Sequence, residues 1–167
     1  MAGAGSEIRG EAPSGIVVGV DGSDSAKAAL AWAVRQALLT GASLQVVISW
    51  EIPTTYGWVT PLPEDLDFEA DARRIVTATV AEVVGSEEPG NLDLTLSIVE
   101  GHPAAVLLRE SQQAALVVVG SRGHGSFSGM LLGSVGLHLA THAHCPVVIV
   151  RDGEELLARQ EESDFRP

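Results

Sequence analysis

The sequence predicts an α/β fold, a doubly wound five-stranded parallel sheet with helices on both faces. Three observations point there. Several apolar runs are continuous and β-branched, as in parallel strands covered on both sides. Segments with apolar residues at helical spacing alternate with them. Most junctions are short turns, so the elements read βαβαβαβαβ.

The first strand is residues 16–20, Ile16-Val17-Val18-Gly19-Val20, and it ends at Asp21. Ser23 and Asp24 are placed to cap a helix in which Ala29, Leu30, Ala33, Val34, Ala37 and Leu38 recur at helical spacing until Gly41 closes it. Residues 44–50 form the second strand. The prolines Pro53, Pro61 and Pro63, with Tyr56, Gly57 and Trp58, then mark a long irregular connection. A second helix spans about 64–85 on the spacing of Ile75, Val76, Thr79, Val80 and Val83.

Residues 92–99 alternate Leu92, Leu94, Leu96 and Ile98 with polar neighbours, which predicts a strand at a sheet edge. Pro103 opens a third helix running to about Gln113, and a buried strand follows at 115–119. After a glycine-rich loop at 120–129, a helix over about 130–142 and a strand at 146–150 complete the pattern.

A chain of 167 residues suits one domain, placed at 15–151. Residues 1–14, small, polar and Gly/Ala-rich, read as a flexible leader rather than a signal or membrane anchor. Residues 152–167 read as an acidic, solubilising tail. With no apolar stretch of spanning length and one cysteine, Cys145, read as a small buried hydrophobe, the expected location is cytoplasmic and away from membranes. A net charge of −12 argues against nucleic acid as a partner, so any nucleotide must be held by local geometry. The chain's one lysine, Lys27, does not follow a glycine, which excludes a Walker A loop.

In parallel sheets ligands sit beyond the carboxyl ends of the strands, which directs attention to Asp21, Ser49 and the loop starting at Gly120. Five glycines and four serines fall within residues 120–134, between a buried strand and a helix. Glycines there let main-chain N–H groups approach an anion, and the helix N-terminus adds partial positive charge. Ser121 and Ser134 can donate hydroxyl bonds, while Arg122 reads as facing solvent or a partner. On these grounds a phosphate site is favoured over a plain mobile loop.

The spacing Gly120-x2-Gly123-x9-Gly133-Ser134 is similar to the G-x2-G-x9-G-S/T signature of the ATP-binding universal stress proteins. The segments Val18-Gly19-Val20-Asp21-Gly22-Ser23, Gly101-His102-Pro103 and Cys145-Pro146-Val147-Val148-Ile149-Val150 reinforce the resemblance, which covers about residues 16–151. It implies an adenine-nucleotide alpha-hydrolase-like sheet in the order 3-2-1-4-5 and a homodimer paired through the last strand, 146–150. It also implies phosphate and ribose contacts at Gly120, Gly123, Gly133, Ser134 and Val135. Adenine and ribose would meet Gly19, Val20, Asp21 and Ser49, with Val119 beneath. Asp21 is the carboxylate of that set, expected on a ribose hydroxyl or orienting Mg²⁺ on the phosphates of ATP, against the plainer role of a helix cap.

Other readings carry less. Gly123-x-Gly125-x3-Gly129 has the wrong spacing for a dinucleotide fingerprint, and too little chain follows for an NAD site. His138 and His142 stand at helical spacing but lack a neighbouring carboxylate, so no metal site is assigned and they read as surface residues or carbonyl partners. His102 and His124 lie on sheet-end loops with no nucleophile to serve. Trp32 reads as helix packing, and Trp50 and Trp58 as flanking a cover for adenine. No catalytic residue is assigned, because neither an activated nucleophile nor an arginine finger emerges. The chain is therefore read as a nucleotide-binding stress-response or signalling module. A slow ATP hydrolase, or AMP or cyclic AMP as the resident ligand, are the alternatives.

Overall fold

In the computed structural model residues 14–52, 67–85, 91–123 and 132–151 are described. The strands are β1 (Ile16–Gly19), β2 (Leu44–Trp50), β3 (Leu94–Glu100), β4 (Leu116–Gly120) and β5 (Val147–Val150). They alternate with the helices α1 (Asp24–Thr40), α2 (Phe68–Val84), α3 (Pro103–Glu110) and α4 (Ser134–His142). All strand pairs are parallel, in the order β3-β2-β1-β4-β5. The expected fold and strand order are both present, and the edge placement of the third strand holds.

Side-chain alternation along the strands builds two cores. Ile16, Val18, Leu44, Val46 and Ile48 face α1 and α2, where Ala26, Ala29, Leu30, Ala33, Ala37, Ala72 and Val76 cover them. Val17, Val47, Val117 and Val119 face α3 and α4 and meet Val106, Leu107, Ala114 and Leu139. The alanine stripe of α1 lets that helix lie close to the sheet, and Ala29 and Ala33 have no solvent exposure. Trp32 packs against this core as expected.

Local chemistry sets the helix ends. Ser23 caps α1, its side chain accepting from the Ala26 N–H at 3.3 Å. Gly41 closes α1 at φ 69°, a left-handed conformation that favours glycine, and its N–H donates to the Ala37 carbonyl. Asp67 caps α2 by accepting from Ala70 N–H at 2.9 Å. Pro103 occupies the first turn of α3.

Several boundaries differ from those expected. The first strand stops at Gly19, the third spans 94–100, and the fifth starts at Val147. Helix α3 ends at Glu110; the next residues form a turn in which Gln112 and Gln113 donate to the carbonyls three residues back, Arg109 and Glu110. Helix α2 starts at Phe68 and α4 at Ser134, where Asp67 and Gly133 stand as the caps. The expected leader, the connection carrying Tyr56 and Trp58, the loop residues His124, Gly125 and Gly129, and the acidic tail lie outside the described residues.

Candidate functional site

At the carboxyl ends of β1, β2 and β4 the sheet opens into a cavity of about 540 Å³, within the range of about 300–1,000 Å³ that small-molecule sites occupy. It lies on the α3 and α4 side. The inner layer reversal places it there: β1 sits between β2 and β4, and the chain leaves β1 toward one face and β4 toward the other. All ten residues expected at a ligand site line this cavity: Gly19, Val20, Asp21, Ser49, Val119, Gly120, Gly123, Gly133, Ser134 and Val135.

The glycines serve different ends. A Cβ on Gly120 would stand 2.6–2.8 Å from the Ser25 hydroxyl and backbone, so this glycine admits the first turn of α1 against the end of β4. On Gly19 a Cβ would meet Leu107 Cδ1 at 2.7 Å. On Gly123 it would meet Asp21 Oδ2 at 2.6 Å. On Gly133 it would find nothing closer than 3.5 Å, an ordinary contact. Packing within the described residues thus explains Gly19, Gly120 and Gly123, while at Gly133 the space gained opens into the cavity.

Gly133 is also the N-cap of α4. It carries no side chain to satisfy the amides of the first turn, so the N–H groups of Ser134, Val135 and Gly136 meet no side-chain cap from it. Its own N–H donates to the Ser121 carbonyl at 2.7 Å, which ties the start of α4 to the end of β4. The helix dipole adds about half a positive charge at this end. An anion seated in the cavity would meet both.

Asp21 is held from behind. Its Oδ1 accepts from the Ser23 N–H at 3.0 Å and from the Ser23 hydroxyl at 2.6 Å. Asp21 therefore orients the capping serine, and Ser23 itself caps α1. The Ser25 hydroxyl, 3% exposed, donates to the Arg122 carbonyl and anchors the loop after β4 on α1.

Sequence reasoning missed part of the lining. Ala26, Val47, Glu51, His102, Pro103, Val106, Leu107, Arg122 and Gly136 also border the cavity. Val47 was legible in principle, since it shares a strand face with Ser49. Gly136 was less so: a Cβ there would strike Leu132 Cδ1 at 2.7 Å, a tertiary constraint no spacing reveals. Arg122, expected to face solvent or a partner, is half-buried at the rim.

Trp50 borders the connection expected to cover adenine, which lies outside the described residues. One residue beyond Ser49 on β2, it points to the opposite sheet face and packs against the α1 and α2 core. Cys145, expected to be buried, is half-buried against the α3 and α4 core, where burial pushes its thiol up, a backbone bond involving Val117 opposing this. A reluctant thiolate is a poor nucleophile, consistent with a packing role. Among the described residues no helix is long and apolar enough to cross a membrane.

Comparison with known proteins fits this geometry. The sequence profile of the universal stress protein family matches residues 14–151. Universal stress protein Rv2623 of Mycobacterium tuberculosis is 36% identical over 160 residues, covering 92% of this chain and 53% of its own length. The chain therefore spans about half the length of the curated relatives it matches. The solved structure of universal stress protein UspA from Lactobacillus plantarum superposes with a TM-score of 0.69 at 26% identity, covering 84% of this chain and 99% of that one. A universal stress protein solved in complex with cAMP superposes at 0.61 and 26% identity, covering 84% of this chain and 98% of its own. By the extent of the profile and the identity to its relatives, this chain belongs to the universal stress protein family.

Proposed function

We propose that the cavity binds ATP and that the chain works as a nucleotide-dependent stress-response or signalling module. The observation that carries this reading is the convergence of Gly133, Ser134 and Val135 at the start of α4 with Asp21 and Ser49 around one cavity. In this reading the phosphates lie against the amides of Ser134 and Val135, where main-chain donors and the helix dipole act together. The ribose lies beside Asp21. The base enters between Val47, Ser49 and Val106 on the apolar side of the cavity.

The donor set fits Mg²⁺ as well. Mg²⁺ is commonly held by one or two carboxylates together with substrate phosphates, and Asp21 supplies one on the cavity wall. The cation would offset phosphate charge in a chain whose own balance is −12.

Binding is favoured over turnover as the task. Of the carboxylates on the cavity wall, Asp21 already has its Oδ1 engaged by Ser23. A second reading takes cyclic AMP as the resident ligand, supported by the related protein solved with cAMP. We also place a homodimer at β5. Its four residues are all half-buried, in contrast to the buried centre of β4, and it forms the outer edge of the sheet.

The test is mass spectrometry of nucleotide released from freshly purified protein, followed by equilibrium titration with ATP, AMP and cyclic AMP. ATP as the released species and the tightest ligand supports the reading. Cyclic AMP in both places selects the second reading, and no adenine nucleotide in either overturns both.

A further inference from the structure

The far end of α4 carries a feature the nucleotide reading leaves unused. His138 and His142 stand one turn apart on its exposed face, their ring centroids 4.6 Å apart and their planes inclined by 31°. The His142 Nδ1 lies 3.1 Å from the His138 carbonyl and 2.7 Å from the Thr141 hydroxyl. A carbonyl oxygen only accepts, so the proton belongs on Nδ1. That hydrogen bond leaves Nε2 with its lone pair bare and open to solvent, the arrangement in which backbone-bonded histidines ligate metals.

We infer that His138 and His142 form a two-imidazole chelate for a late first-row divalent cation, with Zn²⁺ as the ion to test. Zinc–nitrogen bonds of about 2.0–2.1 Å at a tetrahedral angle put the two nitrogens roughly 3.3 Å apart. Side chains at i and i+4 share a helix face, and rings 4.6 Å apart lie close enough to turn toward one shared ion. Both residues are exposed, so these rotations displace no core packing. The helix supports a cation there, because His142 occupies the last turn of α4, the negative end of the dipole. The thiolate and carboxylate ligands that build closed sites are absent here: among the described residues no group of three or more His, Cys, Asp or Glu gathers to hold a metal. Water completes the coordination, and the site is open and exchangeable.

Imidazole favours zinc, copper and nickel over magnesium and calcium, so the site is chemically distinct from the Mg²⁺ expected with ATP. It also lies further along α4 from Gly133, with His138 roughly 7.5 Å and His142 roughly 13.5 Å along the helix at about 1.5 Å per residue. Its failure therefore leaves the nucleotide reading untouched, and the converse holds.

Calorimetric titration of the nucleotide-free protein with ZnCl₂ at about pH 7.5, where imidazole is largely neutral, is the experiment. We expect one site that saturates below about 1 mM, and at least a roughly tenfold loss of affinity in either His138→Ala or His142→Ala, since each leaves a single ligand. His144→Ala should bind as the unsubstituted chain does. A readout that needs no variant is the imidazole ¹⁵N spectrum, in which His138 and His142 should shift together on adding Zn²⁺ while His102 does not. No zinc uptake, affinity retained in both alanine variants, or shifts confined to other histidines overturns the inference.

Discussion

The Asp21 carboxylate stands so close to Gly123 that a Cβ on the glycine would lie 2.6 Å from Oδ2. The carboxylate cannot swing aside freely, because Oδ1 is held by both the N–H and the hydroxyl of Ser23. The end of β1 and the loop after β4 are therefore fitted to one another across the cavity mouth.

Gly123→Ala should displace Asp21 and weaken ATP binding by roughly tenfold, about 1.4 kcal/mol. If the clash acts through Asp21, the same change in an Asp21→Ala background should cost less than about twofold. A double-mutant cycle by calorimetry measures the difference. Independent, additive losses would show that Gly123 acts without Asp21.

Gly120→Ala and Gly133→Ser should separate stability from binding. A Cβ on Gly120 meets Ser25 backbone atoms at 2.7–2.8 Å, which no rotamer change relieves. Overpacking of this kind costs about 1–3 kcal/mol, or about 2–4 °C in melting temperature per kcal/mol for a chain of this size. A serine at position 133 meets only ordinary contacts and gains a side chain able to cap α4, so thermal stability should hold or rise slightly. Its hydroxyl would occupy the amides offered to the phosphates, and ATP affinity should fall. Thermal unfolding and calorimetry on the two variants check both halves, and tight ATP binding by Gly133→Ser would contradict the placement.

The edge strand makes a separate prediction. The carbonyls of Pro146 and Val150 accept from Val117 N–H at 3.0 Å and Ser121 N–H at 2.7 Å. In a parallel strand alternate residues turn outward, so Val147 and Ile149 present their N–H and C=O groups to the outer edge. The chain should run as a dimer in light scattering coupled to size exclusion, and Ile149→Pro, which deletes an outward donor, should shift it toward monomer. A monomeric unsubstituted protein would contradict the dimer.

The sheet was legible because burial on both faces leaves a mark in composition: Val17, Val18, Val117, Val118 and Val119 need no polar partner, so the runs stay continuous. The caps were legible too, since Ser23 and Gly41 act through local geometry. The spacing of Gly120, Gly123, Gly133 and Ser134 carried the family resemblance, and the resemblance in turn implied Gly19, Val20, Val119 and Val135. What spacing could not convey is why each glycine is there. Gly120 answers to α1, almost a hundred residues away in sequence, and Gly123 to Asp21. The contribution of His102, Val106 and Leu107 also depends on how α3 lies over β1.

The most direct test of the nucleotide account is an amide ¹H–¹⁵N titration of the protein with Mg²⁺ and ATP. The account predicts the largest shifts at Ser134, Val135 and Gly136, the first turn of α4, with smaller ones at Gly19, Asp21 and Ser49. Saturable binding whose shifts spare the first turn of α4, or an absence of shifts at millimolar ATP, would contradict it.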